Sequence, residues 1–582
     1  MQLKRQQLYR TALYMSLLGV AAFVIDFGFD QSRLAQQLLD GFYFLVIAIG
    51  LASTFFRYFR NTSLLQRRVF AFDLLSVLYT LYIFYMYLFV GRAFETDLIL
   101  ENPIWVVAAV ILTFFREFFS LRLELKQTYL NPAQLFIFSF LAIITCGTLL
   151  LLLPNAANQP LSFLDALFTS TSAVCVTGLI VVDTGTFFTR FGQSIILFLI
   201  QMGGLGILTF ASYFSYFFKR ATTYEHQLTL SEMTNSEKIG EVFETLKRIV
   251  LITLVVEGAA VLLIFLSLGG NTFDGFVERA YFSLFHAISA FCNAGFSTLS
   301  NGLYEEPVRT NYGMQLVIIA TFVLGGLGFP IVVNLVSYLK YKVFQLFRRR
   351  KEVTIHRPWL VNLNSRINLV TSGSLLLIGF VAYFLLEYNA TLADRSLFGK
   401  VVTSLFGAAT PRTAGFNTVD MAALTFPTVM VTYLLMWIGA SPASTGGGIK
   451  TSTFAIAVLN ILSLAKGKTR IEVFRREIAS VSVKRAFAII SLSLLVIGIA
   501  IMLIAMFDSD KSLLAIGFEC FSAYSTVGLS LGITGALTAK SKVVIIAIMF
   551  IGRVSMLSIL IAIFRKTKHK NYQYPTEELT IN

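Results

Sequence analysis

Long apolar blocks separated by short polar joints run through the chain, many near the twenty residues that cross a bilayer core of about 30 Å as a helix. The first four cover residues 12–30, 38–56, 71–90 and 103–120. Arg116 and Glu117 cut into the fourth, and the short linkers make this region two helical hairpins. From residue 134 the rhythm changes. A helix over 134–153 ends before Pro154, and Leu161–Leu179 follows, too short and too rich in Ser and Thr to span. A helix over 192–215 then returns. The same triplet of helix, short polar re-entry and helix recurs at 248–268, 280–296 and 314–338. It recurs again at 367–387, 399–416 and 424–460, and at 485–507, 513–529 and 543–563.

Gly178, Gly295, Gly415 and Gly528 mark the hearts of the short segments, 117, 120 and 113 residues apart. A period of this length repeated four times indicates internal duplication. Two spanning helices per unit give every unit the same orientation, so the repeats are parallel about an axis along the membrane normal. The expected fold is an all-α polytopic membrane protein, four M1–P–M2 units (helix, re-entrant pore segment, helix) around one pore, with about four extra N-terminal helices. The expected divisions are residues 1–130 for the leading hairpins, and 131–218, 245–340, 365–465 and 484–565 for the units. Residues 566–582 form a cytoplasmic tail.

Composition narrows this further. The 582 residues are 56% hydrophobic and 14% charged, where a soluble protein carries roughly a quarter charged residues. The net charge of +15 gathers in clusters at Lys4–Arg10, Arg57–Arg68, Arg116–Lys126, Lys219–Arg248, Lys340–Arg366, Lys466–Arg485 and Arg565–Lys570. The predicted topology puts all of them on one side, and the positive-inside rule then makes both termini cytoplasmic. Nucleic-acid binding is a poor account of the charge, since no basic domain interleaved with aromatics is present. Four Cys without metal spacing give no disulfide framework or metal site. The first block, from Leu13, lacks a cleavage site and reads as a retained helix. Four His that pair with no carboxylate at metal spacing, and no HExxH, argue against an intramembrane enzyme.

Chemistry concentrates in the short segments. "SAVCVTGL" (172–179), "NAGF" (293–296), "TAGF" (413–416) and "STVGLS" (525–530) each begin beside a helix and end in a stretch that helix cannot continue. Non-helical backbone at membrane depth must face protein or water. Four such segments solve this jointly by lining an axial pore whose carbonyls coordinate a permeant cation. The candidate ion-binding residues are Thr177, Gly178, Asn293, Ala294, Gly295, Thr413, Ala414, Gly415, Thr526, Val527 and Gly528. Glycine gives the backbone its freedom there, and the carbonyl ends of the short helices favour a cation. Leu179, Phe296, Phe416 and Leu529 are expected to pack behind. Glu519, inside the fourth short helix, is expected to accept hydrogen bonds from amides of the segment. His286 and Arg412 read as structural or vestibule residues. Asp183 and Asp420 suit either a cation-concentrating vestibule or a solvated face.

Two further features read as a gate. After "MVTYLLMWI", the run Gly439-Ala440-Ser441-Pro442-Ala443-Ser444-Thr445-Gly446-Gly447-Gly448 breaks the third unit's second helix before Lys450. Proline and the glycine triplet cannot sustain helix, so two half-helices joined by a mobile loop are expected. Lys450 either repels cations or lies near the cytoplasmic face. Arg553 sits about ten residues into the last helix, roughly 15 Å from its outer end. A charge that deep faces a bundle interior or a water path, and is expected opposite residues 439–448 as a barrier or a latch.

With "GASPASTGGGIKT" (439–451) and "FIGRVSMLS" (550–558) added, the chain strongly resembles the Trk/Ktr/HKT superfamily of potassium transporters over roughly residues 132–570. The resemblance is to the membrane subunit of bacterial Trk or Ktr systems. It implies potassium uptake across the bacterial cytoplasmic membrane, a homodimer, and a cytoplasmic TrkA- or KtrA-like nucleotide-binding ring. No cofactor is implied, nucleotide acting only through that partner. Superfamily members that favour sodium often carry Ser at the first filter glycine, where this chain has Gly178. A sodium-permeable or sodium-coupled transporter of the same fold is the alternative, and a non-conducting assembly or sensor protein the alternative of another class. Residues 1–130 depart from the pattern: Trk-type subunits add about two helices there, and Ktr-type ones add none.

Overall fold

The computed structural model describes residues 2–58, 67–86, 104–120, 132–206, 242–269, 273, 275–306, 308–347 and 361–563. The basic stretches 207–241 and 348–360 and the tail from 564 lie outside them. Among the described residues the chain is helical apart from one hairpin, β1 (Glu472–Val473) with β2 (Arg476–Glu477), in the basic stretch after the third unit.

Four helices lead: α1 (Gln2–Gly28), α2 (Arg33–Tyr58), α3 (Arg67–Tyr85) and α4 (Ile104–Ser120). They bury their own core of Tyr43, Val46, Ile47, Ala109 and Val110. Beside it lie the fully buried Arg116 and Glu117. Glu117 accepts from Ser53 at 2.8 Å, and Tyr58 donates to Asp73 at 2.5 Å. α1 meets the rest of the protein where Gly28 closes on Leu153 and Phe27 on Phe191.

The first unit is α5 (Pro132–Leu151), α6 (Phe163–Val174) and α7 (Arg190–Leu205). The second is α8 (Val242–Ser267), α9 (Phe276–Phe291), α10 (Tyr312–Leu327) and α11 (Phe329–Phe347). In the third, α12 (Leu363–Glu387) and α13 (Leu397–Ala409) precede α14 (Phe426–Trp437) and α15 (Thr451–Ala465). In the fourth, α16 (Ser480–Phe507) and α17 (Leu513–Ser525) precede α18 (Ala539–Val554) and α19 (Met556–Ile563). Among the described residues five helices are long and apolar enough to cross a membrane, or six if α10 and α11 count as one bent span.

Sequence sets the starts of the short helices. Ser162, Ser396 and Ser512 cap α6, α13 and α17 by accepting from the amides of Asp165, Gly399 and Ala515, which satisfies orphan N–H groups of the first turn. α9 starts at Gly275 without such a cap. The units then close into a cycle. α7 packs on α9, α10 on α13, α14 on α17, and α18 returns to α6. Lys542 of α18 adds a 2.7 Å ion pair to Asp165 of α6 across that last seam.

The second helix breaks in the second and fourth units as well as in the third. α7 ends at Gly206 (φ +75°), α18 gives way to α19 at Ser555 (φ +74°), and α10 and α11 meet at Gly328 (φ +84°) with a bend of 109°. The uninterrupted helix expected over 314–338 is therefore two. A side chain on Gly328 would strike the carbonyl oxygen of Pro442 at 2.5 Å, so the bend makes room for the loop of the third unit.

Candidate functional site

The four short helices end in matching turns. Thr177 N, Ala294 N and Val527 N donate to Ser172 O, Ser289 O and Ser522 O at 2.8–2.9 Å, and Ala414 N donates to Thr410 O at 3.0 Å. Hydroxyls finish the anchoring. Ser172 and Ser522 accept from the amides of Gly178 (3.1 Å) and Gly528 (3.0 Å), while Ser289 and Thr410 donate to the carbonyls of Phe296 and Phe416. Each segment is thus tied to its own helix before it meets a neighbour.

Beyond these turns Gly178, Gly295, Gly415 and Gly528 all take positive φ, +90°, +69°, +78° and +92°. Each is in van der Waals contact with the next segment. A methyl group on Gly178 would lie 2.3 Å from Ala294 O; on Gly295, 2.9 Å from Ala414 O; on Gly415, 2.1 Å from Val527 O; and on Gly528, 2.2 Å from Thr177 O. The last contact returns to the first segment, so four stretches of backbone over a hundred residues apart form a closed ring. Leu179, Phe296, Phe416 and Leu529 are at most 2% exposed and belong to the surrounding cores. His286 lies in this support layer, its ring nitrogens bonded to Phe282 O and Ser297 Oγ, each at 2.9 Å.

Two residues before each glycine the backbone again has positive φ, at Val176, Asn293, Thr413 and Thr526 (+57°, +59°, +71° and +50°). Val176 is the member that sequence reasoning missed; only counting back two residues from every repeat glycine finds it. The four side chains form the layer beneath the ring, and they differ. Oriented to match all its partners, the Asn293 carboxamide faces Thr445 Oγ1 (3.2 Å), Phe291 O (3.3 Å) and Phe322 O (3.0 Å) with its nitrogen and accepts from Thr413 Oγ1 at 3.1 Å. Thr526 Oγ1 accepts from Gly447 N at 2.9 Å. Val176 has no polar group to offer.

The 439–448 loop lies against this layer. Its ends are joined by Gly439 N to Ile449 O (2.9 Å) and Thr451 N to Ala440 O (3.2 Å), and Ser441 N donates to Gly326 O (2.9 Å). Ser444 turns back to Ser441 O, beside Pro442. A methyl on Gly446 would stand 2.1 Å from Thr413 Oγ1, and one on Gly447 2.4 Å from Thr526 Oγ1, so no carbon can be added between loop and layer. Gly448 takes positive φ against Ser525. Lys450 turns inward and donates to Gly446 O at 2.5 Å. The Arg553 guanidinium donates to both Thr445 O and Gly203 O, joining the loop, the fourth unit and the first. Arg412 bonds Ser372 and reaches Gly439 O at 3.4 Å, a link to the loop that its residue type alone did not disclose.

Glu519 departs from expectation. It accepts from the hydroxyls of Ser530 and Thr534, just beyond the ring, in place of ring amides. Asp183 and Asp420 cap the short turns at Thr186 and Ala422.

A ring of backbone at the centre of a cycle of re-entrant helices is the architecture of a membrane protein that passes ions between its units. The chain belongs to the TrkH family, described as cation transport proteins, whose model matches residues 120–574. It is 36% identical over 462 residues to the "Ktr system potassium uptake protein B" of Bacillus subtilis, covering 78% of this chain and 98% of the relative. It is 34% identical to the "Potassium/sodium uptake protein NtpJ" of Enterococcus hirae, covering 78% and 97%. The crystal structure of the potassium transporter TrkH from Vibrio parahaemolyticus shares the fold, with a TM-score of 0.59 at 18% identity over 86% of this chain and 99% of that one. The family match begins at residue 120, so α1–α3 and all but the last residue of α4 precede it.

Proposed function

We propose that this chain is the membrane pore subunit of a potassium-uptake system, and that the glycine ring is its selectivity filter. The observation that carries the reading is the closed cycle of glycine-to-carbonyl contacts. Held at positive φ by the turns below, the four segments leave their carbonyls as the polar groups available to replace an ion's hydration shell. The filter residues are Thr177, Gly178, Asn293, Ala294, Gly295, Thr413, Ala414, Gly415, Thr526, Val527 and Gly528, with Val176 added at the base of the first segment.

The loop Gly439–Gly448 acts as the gate. Its small residues fit flush against Asn293, Thr413 and Thr526 beneath the filter. Arg553 and Lys450 hold that position through backbone carbonyls and set positive charge below the ion path. Opening withdraws Thr445 from Arg553 and Gly447 from Thr526. The subunit works as a homodimer under a cytoplasmic nucleotide-binding ring, for which the basic segments Lys340–Arg366 and Lys466–Arg485 are the docking surfaces. The relatives of potassium-uptake name support the choice of ion, and the Enterococcus relative, named for both ions, keeps sodium as the competing cargo.

Reconstitution of the purified protein in liposomes tests this. Rubidium or potassium uptake driven by a potassium gradient, several-fold above that under an equal sodium gradient, is the expected result. Equal fluxes select the sodium-permeable reading, and no flux with or without the regulatory ring removes the transport reading.

A further inference from the structure

One ionisable group at membrane depth belongs neither to the ring nor to the loop. Glu257 lies in the middle of α8 and is only 6% exposed. Its Oε2 accepts from Gln201 Nε2 of α7 at 3.3 Å. Its Oε1 is buried without a hydrogen-bond partner among the described residues. One turn earlier on the same helix, roughly 6 Å in rise, Thr253 is 1% exposed and its hydroxyl is likewise buried without a partner. Residues four apart lie on one helix face, so two orphaned oxygens share a strip of α8 that looks into the protein.

Buried polar atoms are almost always paired, and a buried carboxylate with one donor is strongly disfavoured. A proton on Glu257 removes that buried charge and turns the acid group into a donor, for which the Thr253 hydroxyl on the same face is an acceptor, directly or through one water. A bound metal cation fits less well. Among the described residues no group of three or more His, Cys, Asp or Glu side chains gathers to hold one.

We propose that Glu257 is a proton-binding site, with Thr253 as its acceptor, coupled to the base of the ring. The coupling path is short. Gln201 joins Glu257 to Cys292, and Cys292 is bonded to Asn293 in the chain. Two residues beyond Gln201, Gly203 O receives Arg553. The packing is tight here, since a methyl on Gly204 would lie 2.5 Å from the Cys292 sulfur. Loss of the proton leaves a carboxylate that pulls harder on the Gln201 amide it already accepts from, which shifts Cys292, bonded to the oxygen of that amide.

Few other titratable groups face this strip. Glu278, Arg279 and Tyr281 of α9 and Arg190 of α7 lie toward the outer ends of their helices. His286 is held by Phe282 O and Ser297.

The test uses the full-length protein in liposomes and has two arms. Infrared difference spectroscopy of the wild type at neutral pH should show the carbonyl stretch of a protonated carboxylic acid that is missing in Glu257→Gln and shifted in Thr253→Val. Rubidium uptake should vary at least threefold with pH in the wild type and stay flat in Glu257→Gln. Absence of the infrared band in the wild type overturns the site, as does a sodium-dependent band shift that marks a cation in place of a proton. If Glu257→Gln does not fold, an unshifted band in Thr253→Val overturns it. A pH response unchanged in Glu257→Gln overturns the coupling. Only the uptake arm rests on the pore reading; the infrared arm stands even if no ion is transported.

Discussion

The ring and the layer beneath it are two residues apart in sequence and follow opposite rules. In the ring, all four units present glycine at positive φ against a neighbour's carbonyl. In the layer below, four residues with the same backbone conformation carry Val, Asn, Thr and Thr side chains. Each of the three polar ones makes its own contact with the loop, and the valine makes no polar contact. Backbone performs the task that needs four-fold likeness. Side chains perform the task that needs the units to differ, because one loop, from the third unit alone, meets the second, third and fourth units through separate contacts.

The largest expected effect breaks the ring. Gly415→Ala drives a methyl to within 2.1 Å of Val527 O at a backbone angle alanine resists. Potassium flux in liposomes should fall at least about 100-fold, the scale of a displacement costing about 3 kcal/mol, with the elution profile in detergent unchanged. Releasing the latch comes next and has the opposite sign. Arg553→Ala removes two charge-assisted hydrogen bonds, each worth about 1.5–3 kcal/mol. Basal flux without a regulatory partner should rise about tenfold or more, while potassium-over-sodium preference stays. Unchanged conductance and gating would remove Arg553 from the gate.

Thr526→Val tests a single contact. It takes away the acceptor for Gly447 N, a bond of about 1 kcal/mol, so basal flux should rise roughly fivefold, less than for Arg553→Ala. The smallest effect is expected at Val176→Thr. This change makes the first unit resemble the third and fourth, yet the loop glycines crowd Thr413, Thr526 and Ser525. Flux should stay within about twofold, with a modest loss of thermal stability from a buried unpaired hydroxyl. A large gain or loss there would mean that the layer's asymmetry is incidental.

Sequence made the ring's four segments readable because each carries its own glycine, its own short helix and, in three cases, its own capping serine. The interrupted helix of the third unit was equally plain, since Pro442 and three glycines announce it. Other features left little or no local trace. Val176 looks like any apolar residue, and Ser555 breaks its helix with no Gly or Pro. The break at Gly328 is written in "GGLGFP", but its reason lies in the third unit, where Pro442 and Ala443 need the space. Glu519 bonds hydroxyls eleven and fifteen residues later, an arrangement that only the fold creates. What escaped the sequence depends on pairs brought together from distant stretches, or on a backbone turn with no residue signature.

The closed chain of contacts in the ring also constrains how such a protein can have diverged from a duplicated ancestor. Each glycine's free side is occupied by a carbonyl from the next unit, so a side chain gained in one copy is resisted by a residue encoded more than a hundred codons away. The fourth copy resists the first in turn. A side chain at any one of the four glycines therefore has to be accommodated by the neighbouring copy. The copies constrain one another at these four positions.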